Sequence, residues 1–221
     1  MASQRRPGCL STRGSPTLSD PALSDVTLGD DGLARCRWSG ADAEYRRYHD
    51  EEWGTPLHGD VPLFEKLSLE GFQAGLSWIT ILRRRPDFRE LFHGFDPERV
   101  AAMTDEDVER LMGETRIIRN RAKILATISN ARLVLELTND SPGALDELLW
   151  SFAPPPRATA PTSFAQVPAV TPESTAMSKH LRTLGFKFVG PTTLYALMQS
   201  SGMVDDHVAG CFRAVTNRAA P

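Results

Sequence analysis

The chain has 221 residues, 41% of them hydrophobic, enough for one compact domain or two small helical lobes. A formal net charge of −3 announces no polyanionic partner, and three cysteines do not make a disulfide framework. No apolar run reaches the roughly 18 residues of a membrane span, and the N-terminus lacks the apolar core of a secretion signal, so a cytoplasmic protein is expected.

Residues 1–33 are rich in Ser, Pro, Gly and Arg and have no hydrophobic periodicity; they read as a disordered extension. Residues 34–215 read as one helical domain and 216–221 as a short tail. The first predicted helix covers 62–69, where positions 63, 64 and 67 are apolar and Asp60 can cap. A second covers 76–84 and is expected to stop before Pro86, because the residue before a proline disfavours the helical region. An amphipathic helix follows over 105–112, and the longest covers 117–137, with Ile118, Ala122, Leu125, Ile128 and Leu133 near one stripe. Ser141-Pro142 pairs an N-cap with a proline at the first helical position and opens a helix through Trp150. The six prolines within 153–172 mark an irregular loop. Thr171-Pro172 repeats the cap signature and starts a helix ending at Gly185, a left-handed C-cap. Gly190 precedes a last helix over 192–200, ended by Gly202. No segment has the period of a strand, so the predicted fold is all-α.

Three groups of residues carry chemistry. His207 and Cys211 are four apart, a spacing that on a helix puts both on one face. Cys36 and His49 would complete a tetrahedron of two thiolates and two imidazoles, closed to water and therefore structural, tying the N-terminal segment to the C-terminal one. On the residues alone, buried thiols and hydrogen-bonded core histidines are the commoner reading.

The second group is aromatic. Trp38, Tyr45, Tyr48, Trp53 and Trp78 crowd into 41 residues, and Tyr45 and Tyr48 share a helix face. Such stripes are usually core. Glu70 argues otherwise, since a carboxylate between an apolar helix end and two glycines is costly to bury unpaired. It suits the floor of an aromatic box, which would attract a flat cationic ligand.

The third group is the segment 186–193, in which two helices meet through a turn with Gly190 at its apex. That is the pattern of a helix-hairpin-helix, whose amides at a helix N-terminus can hold a DNA phosphate. Two basic runs, Arg83 to Arg85 and Arg116, Arg119, Arg121 and Lys123, are compatible with DNA, although such runs are ordinarily a solvated helix face.

Together these residues resemble the DNA-3-methyladenine glycosylase I family, within the helix-hairpin-helix glycosylase superfamily. The resemblance rests on RCRW at 35–38, YHDEEWG at 48–54, LEGFQAGLSW at 69–78, IIRNRAKI at 117–124, GFKFVG at 185–190 and DDHVAGC at 205–211. It spans residues 34 to 213. It implies a structural zinc on Cys36, His49, His207 and Cys211, and a base pocket lined by Glu70, Tyr45, Tyr48 and Trp78 with Trp53 nearby. Glu70 is the residue it makes catalytic. It sets Gly75 and Leu76 against DNA, with Leu76 filling the gap left by an extruded base; Lys187, Gly190 and Thr192 of the hairpin are the further candidate contacts. The chain departs from the family pattern at Asp205, where asparagine is expected, and at Phe72, where glutamine is expected. Asp205 is therefore a second candidate for activating the attacking water. The expected activity is hydrolytic release of 3-methyladenine, with 3-methylguanine as a further substrate, from alkylated double-stranded DNA. No lysine stands out as a Schiff-base nucleophile, so a monofunctional, monomeric enzyme without lyase activity is expected. Two other readings are a non-catalytic module that only recognises damage and a glycosylase/lyase for oxidised bases. The Glu70-plus-aromatic set disfavours the first, and the position of Lys187 before the glycine turn disfavours the second.

Overall fold

The computed structural model describes residues 25–215. It opens with a two-stranded antiparallel hairpin, β1 (Val26–Leu28) and β2 (Ala34–Cys36), in which Val26 pairs with Cys36 and Leu28 with Ala34. Nine α-helices follow among the described residues: α1 (Ala43–Glu51), α2 (Asp60–Gln73), α3 (Trp78–Leu91), α4 (Pro97–Ala101), α5 (Asp105–Gly113), α6 (Arg121–Thr138), α7 (Ala144–Trp150), α8 (Pro172–Thr183) and α9 (Pro191–Ser200). The expectation of an all-α fold is thus corrected by one short hairpin. Its strands are three residues each, too short for alternation to register in the sequence.

The hairpin also moves the expected domain boundary. Asp25 accepts backbone N–H groups from Arg37 and, through its carboxylate, from Phe164, so the last part of the expected extension belongs to the fold. The rest of that extension, residues 1–24, and the tail 216–221 lie outside the described residues.

Helix α2 is the centre of the molecule. It packs against α3, α6, α7 and α9, and every residue from Leu63 to Phe72 except Glu65 is buried. A helix enclosed on all sides is normally apolar throughout; this one carries Lys66, Ser68 and Glu70 into the interior. Asp60 does not cap α2, whose N-cap is Gly59. Its carboxylate instead accepts the N–H groups of Gly143, Leu145 and Asp146, the unsatisfied donors at the start of α7. That replaces the predicted Ser141 cap, because Gly143 at φ +91° turns the chain into α7 two residues later.

Helix α3 runs straight through Pro86, against the expected stop. The proline ring is exposed, while Phe88 and Leu91 beyond it are buried, so packing outweighs the one backbone hydrogen bond the ring removes. Helix α8 starts as predicted: the Thr171 hydroxyl accepts the Ser174 N–H and the Ser174 hydroxyl oxygen accepts the Thr171 N–H.

Candidate active site

The C-terminal half of α2, the first turn of α3 and the end of α9 enclose a pocket of about 240 Å³ beside α1. Tyr45, Tyr48, Trp53, Glu70 and Trp78 all line it, which brings together the five base-binding candidates. The rings form a continuous wall: Tyr48 and Trp78 stand 5.5 Å apart at 44°, Trp38 lies 5.0 Å from both Tyr45 and Trp53, and Trp53 lies 4.6 Å from the His207 ring.

Glu70 is only 3% exposed. The Ser200 hydroxyl donates to its Oε1 at 2.8 Å. Burial pushes its pKa up to about 7, against the opposing pull of the nearby Lys66 ammonium and the Ser200 hydroxyl. A carboxylate poised at neutral pH inside an aromatic box is an unusual combination for a structural residue. The Tyr48 hydroxyl is held well above its ordinary pKa, first by burial and then by the neighbouring charge of Glu70. It therefore stays protonated.

Sequence reasoning missed several lining residues. Gln73 is three residues after Glu70 on α2 and shares its face, a spacing that could have named it. Ser200 and Gln199 arrive from 130 residues away, and Phe164 and Val167 from the proline-rich loop, with no local signal. Phe72, the departure from the expected glutamine, does not line the pocket. It faces the opposite side of α2 and packs in the core 4.7 Å from Phe88 and 5.8 Å from Phe92.

Next to the pocket lies the candidate metal group. The ligand atoms of Cys36, His49 and Cys211 lie within 4.8 Å of one another, all buried. Each histidine is oriented by a carboxylate. His49 Nδ1 meets Asp50 Oδ1 at 2.7 Å and His207 Nδ1 meets Asp205 Oδ1 at 2.7 Å, which turns each Nε2 inward; that of His49 accepts the Cys36 N–H at 3.3 Å and lies 3.4 Å from Cys211 Sγ. The Nε2 of His207 is buried without a hydrogen-bond partner among the described residues, and the two imidazoles stand 4.9 Å apart. The Cys36 S–H, and then His49, hold the Cys211 thiol well below the usual thiol range. The expected helix carrying His207 and Cys211 is not formed. A turn closed by Cys211 N–H donating to the Val208 carbonyl, with Gly210 at φ +93°, does the bending instead. Gly54 is needed beside it, since a Cβ there would sit 2.8 Å from His207 Cε1. Asp205, engaged with His207, is not among the pocket-lining residues.

The candidate DNA contacts fall on two exposed turns. Gly75, at φ +86°, and Leu76, 41% exposed, form the α2–α3 turn. Lys187 and Thr192 are exposed around the α8–α9 connection, where Gly190 caps α9 without any side-chain acceptor on its free amides. Helix α6 holds both turns: Lys123 donates to the carbonyls of Phe72 and Ala74, and the Asn130 side chain exchanges two hydrogen bonds with the Lys187 backbone. The basic runs are mostly engaged within the chain, although only Arg85 and Lys123 are buried. Arg85 pairs with Glu52, Arg116 with Glu90 and Glu114, Arg121 with Glu109, and Arg84 donates to the carbonyls of Thr115 and Arg116.

Residues 38–214 match the family model described as methyladenine glycosylase. The chain belongs to the methyladenine glycosylase family. It is 48% identical over 180 residues to DNA-3-methyladenine glycosylase 1 of Escherichia coli, covering 81% of this chain and 96% of that one. It is 45% identical over 178 residues to DNA-3-methyladenine glycosylase of Haemophilus influenzae, covering 80% and 96%. Among solved structures it superposes on 3-methyladenine DNA glycosylase I with a TM-score of 0.78 at 49% identity, over 81% of this chain and 98% of that one. A variant of a 3-methyladenine DNA glycosylase I in complex with 3-methyladenine matches with a TM-score of 0.75 at 35% identity, over 80% and 95%.

Proposed function

We propose that this methyladenine glycosylase removes 3-methyladenine from alkylated duplex DNA by hydrolysis. The observation that carries the reading is Glu70, a buried carboxylate on the floor of a box of π faces. Methylation at ring nitrogen 3 leaves the base cationic and already a good leaving group, so selection depends on recognising a flat cation. Tyr48, Trp78 and the Trp38 wall supply π faces, and Glu70 supplies the opposite charge. Normal adenine is neutral and loses most of that attraction.

The base must first leave the stack, which costs a few kcal/mol and less for a poorly paired base. Leu76, on its exposed turn, is suited to fill the gap. Water then adds to the anomeric carbon as the glycosidic bond breaks. The bonding pair passes to the ring nitrogen, the base leaves neutral, and the water proton is released to solvent or to Glu70. The uncapped amides of α9 at Gly190, with Lys187 and Thr192, support a helix-hairpin-helix that grips a phosphate. Cys36, His49, His207 and Cys211 suit a structural zinc, with the unpartnered His207 Nε2 as the strongest sign of fit. Such an ion would brace the wall that carries Trp38 and Tyr48. We assign the enzyme to the monomeric state, and no described helix is long and apolar enough to cross a membrane. A bacterial cytoplasm, where the relatives' DNA lies, is the compartment this reading requires.

Duplex DNA carrying one 3-methyladenine tests the reading, with released bases identified by chromatography. Wild type is expected to release 3-methyladenine without cutting the strand, and Glu70→Gln to do so at least about tenfold more slowly. Folded wild-type protein that binds the duplex and releases nothing would leave only a damage-recognition module.

A further inference from the structure

Lys66 lies one helical turn before Glu70, in the middle of α2, and is only 6% exposed. A buried ammonium is costly unless its charge is used. It does not line the base pocket. Its Nζ stands 5.1 Å from the Tyr48 ring centroid and 5.7 Å from that of Trp78, and it borders a second cavity of about 140 Å³ shared with Glu52 and Ser200. Ser200 thus touches both cavities, and it is the residue that donates to Glu70.

The other charges around this spot are already matched. The nearest carboxylate oxygen to Lys66, Glu52 Oε2, is 3.9 Å away, beyond hydrogen-bond reach. Glu52 receives two hydrogen bonds from Arg85 on α3 and one from Arg47 on α1. Glu65, on α2 itself, pairs with Arg89 at 2.8 Å. From α1 the Tyr48 ring faces the ammonium, and α9 contributes the neutral Ser200. The one anion of this group without a cation of its own is Glu70, four residues along the same helix face.

We propose that Lys66 is a positioning residue for base excision: its ammonium, set behind the Tyr48 and Trp78 rings, keeps Glu70 in the charged form that attracts the cationic base. This rests on the role given to Glu70 above. The placement answers a conflict. A cation inside the pocket would repel the substrate, whereas behind the ring wall it acts on Glu70 through the low-dielectric interior and leaves the π faces to the base. The direction agrees with the balance at Glu70, where burial raises the carboxyl and Lys66 opposes it.

The test is the pH profile of single-turnover 3-methyladenine release by wild type, Lys66→Met and Lys66→Arg, with Glu70→Gln as reference. Wild-type activity is expected to fall as pH drops through about 7. In Lys66→Met this acidic limb moves up by about one pH unit, a roughly tenfold loss on the limb, and Lys66→Arg restores it. The Glu70 carboxyl, followed by carbon NMR in the free proteins, moves in the same direction. If Lys66→Met does not fold, Lys66→Gln takes its place in both measurements. A folded variant whose limb and Glu70 titration coincide with wild type overturns the proposal and leaves the glycosylase reading intact. Absence of release by wild type would instead strike the reading of Glu70 itself.

Discussion

Replacing Glu70 by glutamine should stabilise the protein, and by an amount that depends on pH. Glutamine keeps a side-chain oxygen to accept the Ser200 hydroxyl and removes a charge that is only 3% exposed. Glu70 titrates at about 7 in the fold against 4.5 for an ordinary glutamate. Because the folded value is raised, the folded state holds its proton more tightly than the unfolded chain. Below pH 4.5 both states are protonated, and wild type and variant should be nearly equal. As pH rises from 4.5 to about 7 the unfolded chain ionises first and wild type loses stability; above 7 the full deficit remains. A difference of 2.5 units, from 4.5 to 7, corresponds to about 3 kcal/mol. In a domain of this size that is roughly 6 to 12 °C in melting temperature. Thermal unfolding of both proteins in matched buffers, at about pH 4.5 and about pH 8, measures it. Taking the difference between the two proteins at each pH cancels every other titrating group. A gap that is the same at both pH values would refute the account of Glu70 as a buried, strained carboxylate.

Three further outcomes are expected. Metal analysis should find one zinc per chain, and a strong chelator should lower the melting temperature by at least about 5 °C, an effect lost in Cys211→Ser. Asp60→Ala should cost about 2 to 3 kcal/mol in urea unfolding, because it strands three amides at the start of α7. Leu76→Ala should leave the melting temperature within about 2 °C of wild type, since the side chain is 41% exposed. It should slow release from duplex DNA while leaving the binding of free 3-methyladenine unchanged, which fluorescence of the pocket tryptophans can follow.

What the sequence made legible was local. The Thr171 cap of α8 and the Tyr45/Tyr48 face of α1 are decided by residues a few positions apart, and both stand in the structure. The Glu70 anomaly was also visible, because a carboxylate in an apolar helix violates a rule that needs no tertiary knowledge. What escaped was decided across the chain. Asp60 looked like a cap for its own helix and serves α7 instead, more than 80 residues on. Pro86 looked like a stop, but the buried Phe88 and Leu91 carry the helix past it. Ser200 has nothing around it in sequence that announces a partner at Glu70. Lys66 was invisible for a different reason. A lysine on a helix is ordinarily solvated, and only the enclosure of α2 on every side puts this one in the interior.

The pairing of the arginines with carboxylates of their own chain bears on how the protein is expected to search for damage. Affinity for any duplex grows with the number of counterions that protein cations displace from phosphates, about 0.9 per contact on a logarithmic scale of salt. Arg85, Arg116 and Arg121 are already neutralised by carboxylates of their own chain. That leaves Arg119, Lys179, Arg182 and Lys187 as exposed cations without an ion pair among the described residues on α8, the α8–α9 connection and the approach to α6. A net charge of −3 adds no long-range pull. Association with undamaged DNA is therefore expected to be weak, short-lived and only shallowly dependent on ionic strength, which binding to an unmodified duplex at two salt concentrations checks. On that expectation, residence time on a lesion comes from the pocket and not from the backbone, and a normal base returns to the helix before it can be mistaken for a damaged one.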